Sequence, residues 1–341
     1  MNRVSNGLVV SAALVVVVAG LKAAAPLIVP FLLSIFLAII FGSPLFWLRR
    51  RGVPAAASFW VVIAALVLAG LLVVLVVGHS VKEFSASLPH YQERLHEEFS
   101  RLTTWLATHQ IVLPSDISTE TFDPSIAMRL AGRMFDSLSS LLADGLLIAF
   151  TVIFILMESA GFPEKLHRAL PAPQGTEAFL NRFVEDVNRY MGIKTAVSIL
   201  TGLLVTLVLV FIGADFAILW GLLAFLLNYI PNIGSILAAV PAVLVVFIQL
   251  GGTSALGTIL AYAVINMVMG SVIEPRLMGR SLGLSTLVVF VSLVFWGWVL
   301  GPVGMLLSVP LTMVIKIGLD SNPDTRSAGI LLGSGSAADG D

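Results

Sequence analysis

Seven polar or charged side chains stand within or against long apolar runs of this sequence: Asp144, Asn228, Asn232, Gln249, Asn266, Glu274 and Arg276. Such groups are costly in hydrocarbon, so each is a candidate for a solute or ion path. An Asn or Ser offers hydrogen bonds to an uncharged solute, whereas a carboxylate can carry a proton or hold a cation. Asn228, Asn232 and Ser235 bracket the break in "NYIPNIGS", where Pro231 and Gly234 interrupt a helix. Unpaired carbonyls and a fresh helix N-terminus there are suited to a polar ligand. The same amides also act as hydrogen-bond glue between membrane helices, worth about 0.6 kcal/mol per contact, and both readings stand. Asn266 and Glu274 are eight positions apart, roughly two helical turns and so on one face. Glu274 sits in "VIEPRLMGR", where it either carries a proton or pairs with Arg276 or Arg280. Asp144 reads as a carboxylate snorkelling at the outer end of its helix. The substrate-binding set is therefore Asn228, Asn232, Ser235, Asn266 and Glu274, with Pro231, Gly234, Pro241, Pro275 and Pro310 as helix breaks that can gate.

The elements that must position these groups are membrane helices. Of 341 residues 58% are hydrophobic and 11% charged, against about a quarter charged in soluble domains. Apolar runs predict helices over 8–25, 27–47, 56–78, 138–157, 194–213, 215–230, 234–250, 254–273, 284–300 and 301–319. A bilayer core needs roughly 20 helical residues, so the short runs 215–230 and 234–250 are expected to form a hairpin that only partly enters. The fold class is all-α, a polytopic membrane protein with about 8–10 membrane helices or hairpins. The apolar stretch near the N-terminus reads as a retained first membrane helix and not a signal peptide, since Lys22 interrupts the approach to Ala23–Ala25.

Five regions follow: N-terminal membrane helices in 1–78, an extracytoplasmic amphipathic segment in 79–137, a fourth helix with a cytoplasmic connector in 138–193, a transport bundle with proline-broken hairpins in 194–320, and a disordered tail in 321–341. In the outer segment Phe84, Leu88, Tyr91, Leu95, Phe99, Leu102 and Leu106 make a helical apolar stripe that a neighbouring subunit or the membrane surface would cover. Phe179, Phe183, Val187 and Tyr190 suggest a short amphipathic helix in the connector. With the N-terminus inside, 13 of the 19 Lys and Arg fall on the cytoplasmic side, Lys194 among them. Arg49, Arg50, Arg51, Arg276 and Arg280 then act as topology anchors, both termini are cytoplasmic, and Pro275 ends its helix. "GSILAAVPAVLVV" and "GMLLSVPLTMVI" echo one another across three helices. An inverted repeat of the kind found in secondary transporters would produce this, as would chance among apolar runs.

The same inventory excludes other functions. There is no zinc-binding His-Glu-x-x-His, no Gly-x-Ser-x-Gly elbow, no Walker loop and no carboxylate pair within one span. The chain is therefore read as no enzyme, with no metal or cofactor and no ATP use of its own. Net charge is −1 and no basic patch carries interleaved aromatics, which sets nucleic acid aside. Zero cysteines exclude disulfides and thiolate chemistry.

Over 190–318, "NYIPNIGSILAAVPAVLVVF" followed by "VIEPRLMGRSLGLSTLVVFVSLVFWGWVLGPVGMLLSVPLTMVIKI" resembles the C-terminal signature of the autoinducer-2 exporter family of bacterial membrane proteins. "GLSTLVVFVSLVFWGWVLGPVGMLLSVPL" is similar in particular to the branch that exports the quorum-sensing signal. Ser285-Thr286 replaces the His-Pro of many other members. The resemblance implies export of a small, polyhydroxylated, furanone-derived signal through the bacterial inner membrane without ATP, by a homo-oligomer, a pentamer. It also allows sodium/proton antiport, which some members are assigned. A neutral ligand wants Asn, Ser and Thr partners, whereas antiport needs a buried carboxylate, for which only Glu274 is suited. A non-transporting scaffold that binds partners through its outer segment is the third reading.

Overall fold

The computed structural model describes residues 3–108, 144–159, 176–231, 233–278, 284–320 and 325–333. Its elements are helices: α1 (Arg3–Ala23), α2 (Ala25–Arg50), α3 (Ala55–Thr108), α4 (Gly145–Glu158), α5 (Thr176–Ile212), α6 (Ala217–Leu227), α7 (Gly234–Leu250), α8 (Gly252–Asn266), a π-helical segment (Met267–Ile273), α9 (Glu274–Met278), α10 (Thr286–Leu306), α11 (Ser308–Asp320) and α12 (Arg326–Leu332). Among the described residues five helices are long and apolar enough to cross a membrane: Ala25–Arg50, Ala55–Phe84, Val187–Ile212, Gly252–Leu277 and Thr286–Leu306. Shorter apolar helices accompany them. The molecule is a polytopic helical membrane protein.

Two boundaries expected from sequence do not exist. The helix expected to end at 78 and the amphipathic segment after it form one α3 of 54 residues, with Pro89 inside it. The connector helix and the following membrane helix likewise form one α5 of 37 residues. In both places the composition changes because the surroundings of the side chains change, and the backbone ladder continues because no residue forces it to stop. The tail is corrected as well: residues 326–332 are helical, and the Ser285 amide donates to the Leu332 carbonyl at 3.1 Å.

Part of the α3 stripe is covered by the chain itself. Phe84 and Tyr91 are buried in one core with Trp220, Leu223 and Val245. The Tyr91 hydroxyl donates to Asp215 Oδ2 at 2.8 Å, and Gln249 Nε2 donates to Asp215 Oδ1 at 3.1 Å. Between α5 and α6, Phe216 takes the left-handed conformation (φ 57°), which a bulky residue adopts only when its surroundings hold it there. The Phe84 ring, edge-on to Phe216 at 6.0 Å, is part of that hold. Burial, with Asp215 adding to it, raises the Tyr91 phenol above its ordinary value, so it remains a donor at physiological pH. Tyr91→Phe is expected to lower stability by about 1.5–3 kcal/mol, the worth of a hydrogen bond to a charged group. A thermal melt of the purified variant checks this; an unchanged midpoint would mean the extension of α3 is not docked.

The C-terminal half is twice a long helix followed by a hairpin. α5 is followed by α6 and α7, which pack together across the turn 228–233. Their 11 and 17 residues span about 16 and 25 Å, short of a hydrocarbon core of about 30 Å. α8 is followed by α10 and α11. Within α10 the chain reverses at Gly301 (φ 70°, ψ −154°) and Pro302, a backbone conformation open in practice to glycine. Trp296 Nε1 reaches Thr312 Oγ1 at 3.1 Å across the two arms.

The proline expectations divide. Pro231 lies in the α6–α7 turn, and Pro310 is the third residue of α11, where a missing N–H is tolerated. Pro241, however, is buried inside a continuous α7 and breaks nothing. Pro275 does not end its helix either. Its ring would collide with the carbonyl four residues back in an α-helix, and the chain instead widens to π geometry just before it, with the Glu274 amide donating to the carbonyl of Met269. The helix then continues through Met278.

Candidate functional site

The turn 228–233 meets the π-helical segment beside the middle of α5. There Lys194, Asn228, Pro231, Ser235, Asn266, Gly270, Ser271 and Glu274, with Ile230, line a cleft of about 180 Å³. A water needs roughly 10–15 Å³ of such space, so the cleft takes several waters or one small solute. Four of the five substrate-binding candidates, Asn228, Ser235, Asn266 and Glu274, line this single space. Asn232 lies outside the described residues, as does Arg280.

Each wall has a local cause. α5 presents Lys194 and Ser198. Asn228 is the C-cap of α6, and its Nδ2 donates to Ser198 Oγ at 2.9 Å. That bond does join two helices, and it leaves the amide further capacity to meet a ligand. Ser235 is the second residue of α7. Gly234 before it permits a close approach: a Cβ there would lie 1.8 Å from the Leu227 carbonyl oxygen. In the π-helical segment Gly270 and Ser271 line the cleft, and Pro275 after them has no N–H to give the helix ladder. π segments within α-helices recur at functional sites.

Among the described residues the partner of Glu274 is Lys194, not Arg276. Nζ and Oε1 are 2.6 Å apart, with the two side chains 5% and 19% exposed. Counting Lys194 among the cytoplasmic cations followed from starting its helix at 194. Because α5 begins at Thr176, Lys194 is well inside a helix and buried. A lysine within an apolar run, in "GIKTAVSIL", was the available signal. Among the other anchors, Arg49 and Arg50 end α2, Arg51 lies over the Trp47 ring at 4.8 Å, and Arg276 is exposed. Asp144 is exposed at the N-terminal end of α4.

The cleft as a whole offers amide and hydroxyl groups plus one internally neutralised ion pair. This is equipment for a small polar solute. Residues 12–323, which include all of these groups, match the family model for AI-2E family transporters. The chain belongs to the AI-2E transporter family. It is 40% identical over 319 residues to the AI-2 transport protein TqsA of Escherichia coli, covering 94% of this chain and 93% of the relative. It is 41% identical over 330 residues to a candidate transport protein of Haemophilus influenzae, with 94% of each chain covered. A third relative, the candidate transport protein YhhT of Escherichia coli, is 39% identical over 95% of this chain and 93% of its own. In this AI-2E family member the cleft therefore lies within a transporter fold, and the relatives are named for transport.

Proposed function

We propose that this chain exports autoinducer-2, or an uncharged hydroxyl-rich solute of its class, from the cytoplasm through the bacterial inner membrane without hydrolysing ATP, and that the cleft is where the solute binds. The observation that carries the reading is the makeup of that cleft: Asn228, Ser235, Asn266 and Ser271 beside a Lys194–Glu274 pair that leaves no net charge. Hydroxyl groups on a solute find donors and acceptors there, and a neutral solute brings no charge that must be compensated. TqsA, named as the AI-2 transport protein, supports the same solute. We place the N- and C-termini in the cytoplasm on the balance of Lys and Arg. The two successive units of long helix and hairpin in 176–320 fit an inverted repeat rocking about the site. We take the working unit to be a homo-oligomer, pentameric by the family resemblance, which native mass measurement in nanodiscs checks.

The sodium/proton antiporter is the second reading, because a carboxylate does stand in the cleft. Sodium would have to displace an ammonium group 2.6 Å away from it, and that weighs against the antiporter. Flux from proteoliposomes holding the purified chain, labelled autoinducer-2 and a pH dye, with and without sodium and an imposed proton gradient, separates the readings. Signal efflux without a sodium-driven pH change is the expected result. A sodium-driven pH change without efflux would overturn it in favour of antiport, and movement of neither would leave the scaffold. Asn266→Ala is expected to keep the fold and lower efflux about three- to tenfold, the worth of roughly one hydrogen bond to the solute; unchanged efflux would move the site elsewhere.

A further inference from the structure

Tyr262 is a buried polar group that the cleft does not account for. It lies on α8 one turn before Asn266 and is 7% exposed. Among the described residues its hydroxyl has no hydrogen-bond partner. Leaving a buried hydroxyl unmet is unfavourable, and such groups in native proteins call for an explanation. Tyr262 lines a second cavity of about 10 Å³, whose walls also include Thr201, Val205, Ala224 and Ile265. Space of that size admits about one water or one oxygen-bearing group of a solute.

Ser235 and Asn266 line both cavities, so the smaller one adjoins the cleft. Positions 262, 266, 270 and 274 each line one or the other. They follow one another at the four-residue spacing that keeps side chains on one face of a helix. The result is a wall about three helical turns long, from the Lys194–Glu274 pair to Tyr262. Besides Ser235, Asn266 and Tyr262 the smaller cavity is lined by Val205, Ala224, Ile265 and Thr201, whose hydroxyl donates to the Val197 carbonyl at 2.8 Å, and among the described residues no charged side chain lines it.

From this arrangement we propose that Tyr262 is a second solute contact and that the transport path runs from the cleft past Asn266 into the smaller cavity. The group that passes is uncharged and bears a hydroxyl or carbonyl oxygen, which the Tyr262 hydroxyl meets. The proposal rests on the reading that the cleft is the transport site.

The chain has no cysteine, so single cysteines can be read without background. Asn266→Cys and Tyr262→Cys are each treated in proteoliposomes with a small water-soluble thiosulfonate reagent, with and without autoinducer-2. Labelling at both positions, slowed by autoinducer-2, is expected. Labelling of Asn266→Cys with none of Tyr262→Cys overturns the extended path, and labelling of neither overturns the cleft as a transport site. If the wild-type chain moves no autoinducer-2 while both positions still label, the solute assignment falls and the path stands. Tyr262→Phe keeps the ring and removes only the oxygen. It is expected to keep or raise the melting midpoint, since the unmet hydroxyl is gone, and to raise the KM for autoinducer-2 efflux about three- to tenfold. An unchanged KM overturns the contact.

Discussion

Replacing Glu274 by Ala is expected to destabilise the protein by about 3–5 kcal/mol, because an ion pair that loses one member strands the other in low dielectric. The stranded group would be the Lys194 ammonium, 5% exposed. Lys194→Met should cost less, since the carboxylate left behind is 19% exposed and faces the cleft. The double variant Lys194→Met/Glu274→Leu removes both charges and should regain most of the lost stability, as replacing a buried pair by apolar groups often does. Its efflux of autoinducer-2 should nevertheless fall at least about tenfold, the equivalent of roughly 1.4 kcal/mol of lost solute interaction. Melting midpoints and proteoliposome efflux on the same preparations provide the two readouts. A double variant that is stable and transports like the parent would reduce the pair to a structural clamp between α5 and α9.

Gly234→Ala should be the most damaging single-methyl change in the hairpins. Its Cβ would meet the Leu227 carbonyl oxygen at 1.8 Å and the carbonyl carbon at 2.7 Å. Those atoms are backbone and cannot rotate away, so the α6–α7 turn must open. The cost is about 1–3 kcal/mol, as for other overpacked sites. Opening the turn also moves Asn228 and Ser235, which stand on its two sides, so efflux should fall together with stability. Gly304→Ala is expected to behave alike in the second hairpin, where the added carbon would lie 2.1 Å from the Trp296 carbonyl oxygen. Gly257→Ala supplies the contrast: nothing lies within 4 Å of a Cβ there, and trading a mid-helix glycine for alanine should be neutral or stabilise by up to about 1 kcal/mol. Equal melting midpoints for Gly234→Ala and Gly257→Ala would refute the tight turn.

The glycines that open the two echoed segments, Gly234 and Gly304, are thus both close-approach residues at a hairpin. The break at Gly234 was legible because proline and glycine together interrupt the run in "NYIPNIGS", whereas the close approach at Gly234 and Gly304 was not. The roles of the prolines were not legible in the same way. Pro231 falls in a turn and Pro310 in the first turn of α11, but Pro241 and Pro275 sit in helices that continue. A proline forbids one hydrogen bond, and a helix inside a packed bundle can absorb that loss by local widening, so residue type alone does not tell a break from a π segment.

By itself, then, the sequence determined what depends on local composition. It determined the membrane class from the apolar runs, the family from its C-terminal motifs, and the short list of polar residues that apolar surroundings make costly. Tertiary structure decided what depends on distant parts of the chain. Glu274 pairs with Lys194 across 80 positions, Tyr91 reaches Asp215 across 124, and Ser198 meets Asn228 across 30. A charge placed in hydrocarbon must find a counter-charge, and that need is visible in a single residue. Which counter-charge it finds is set by how α5, the α6–α7 hairpin and the widened end of α8 pack, and packing is a property of the whole fold.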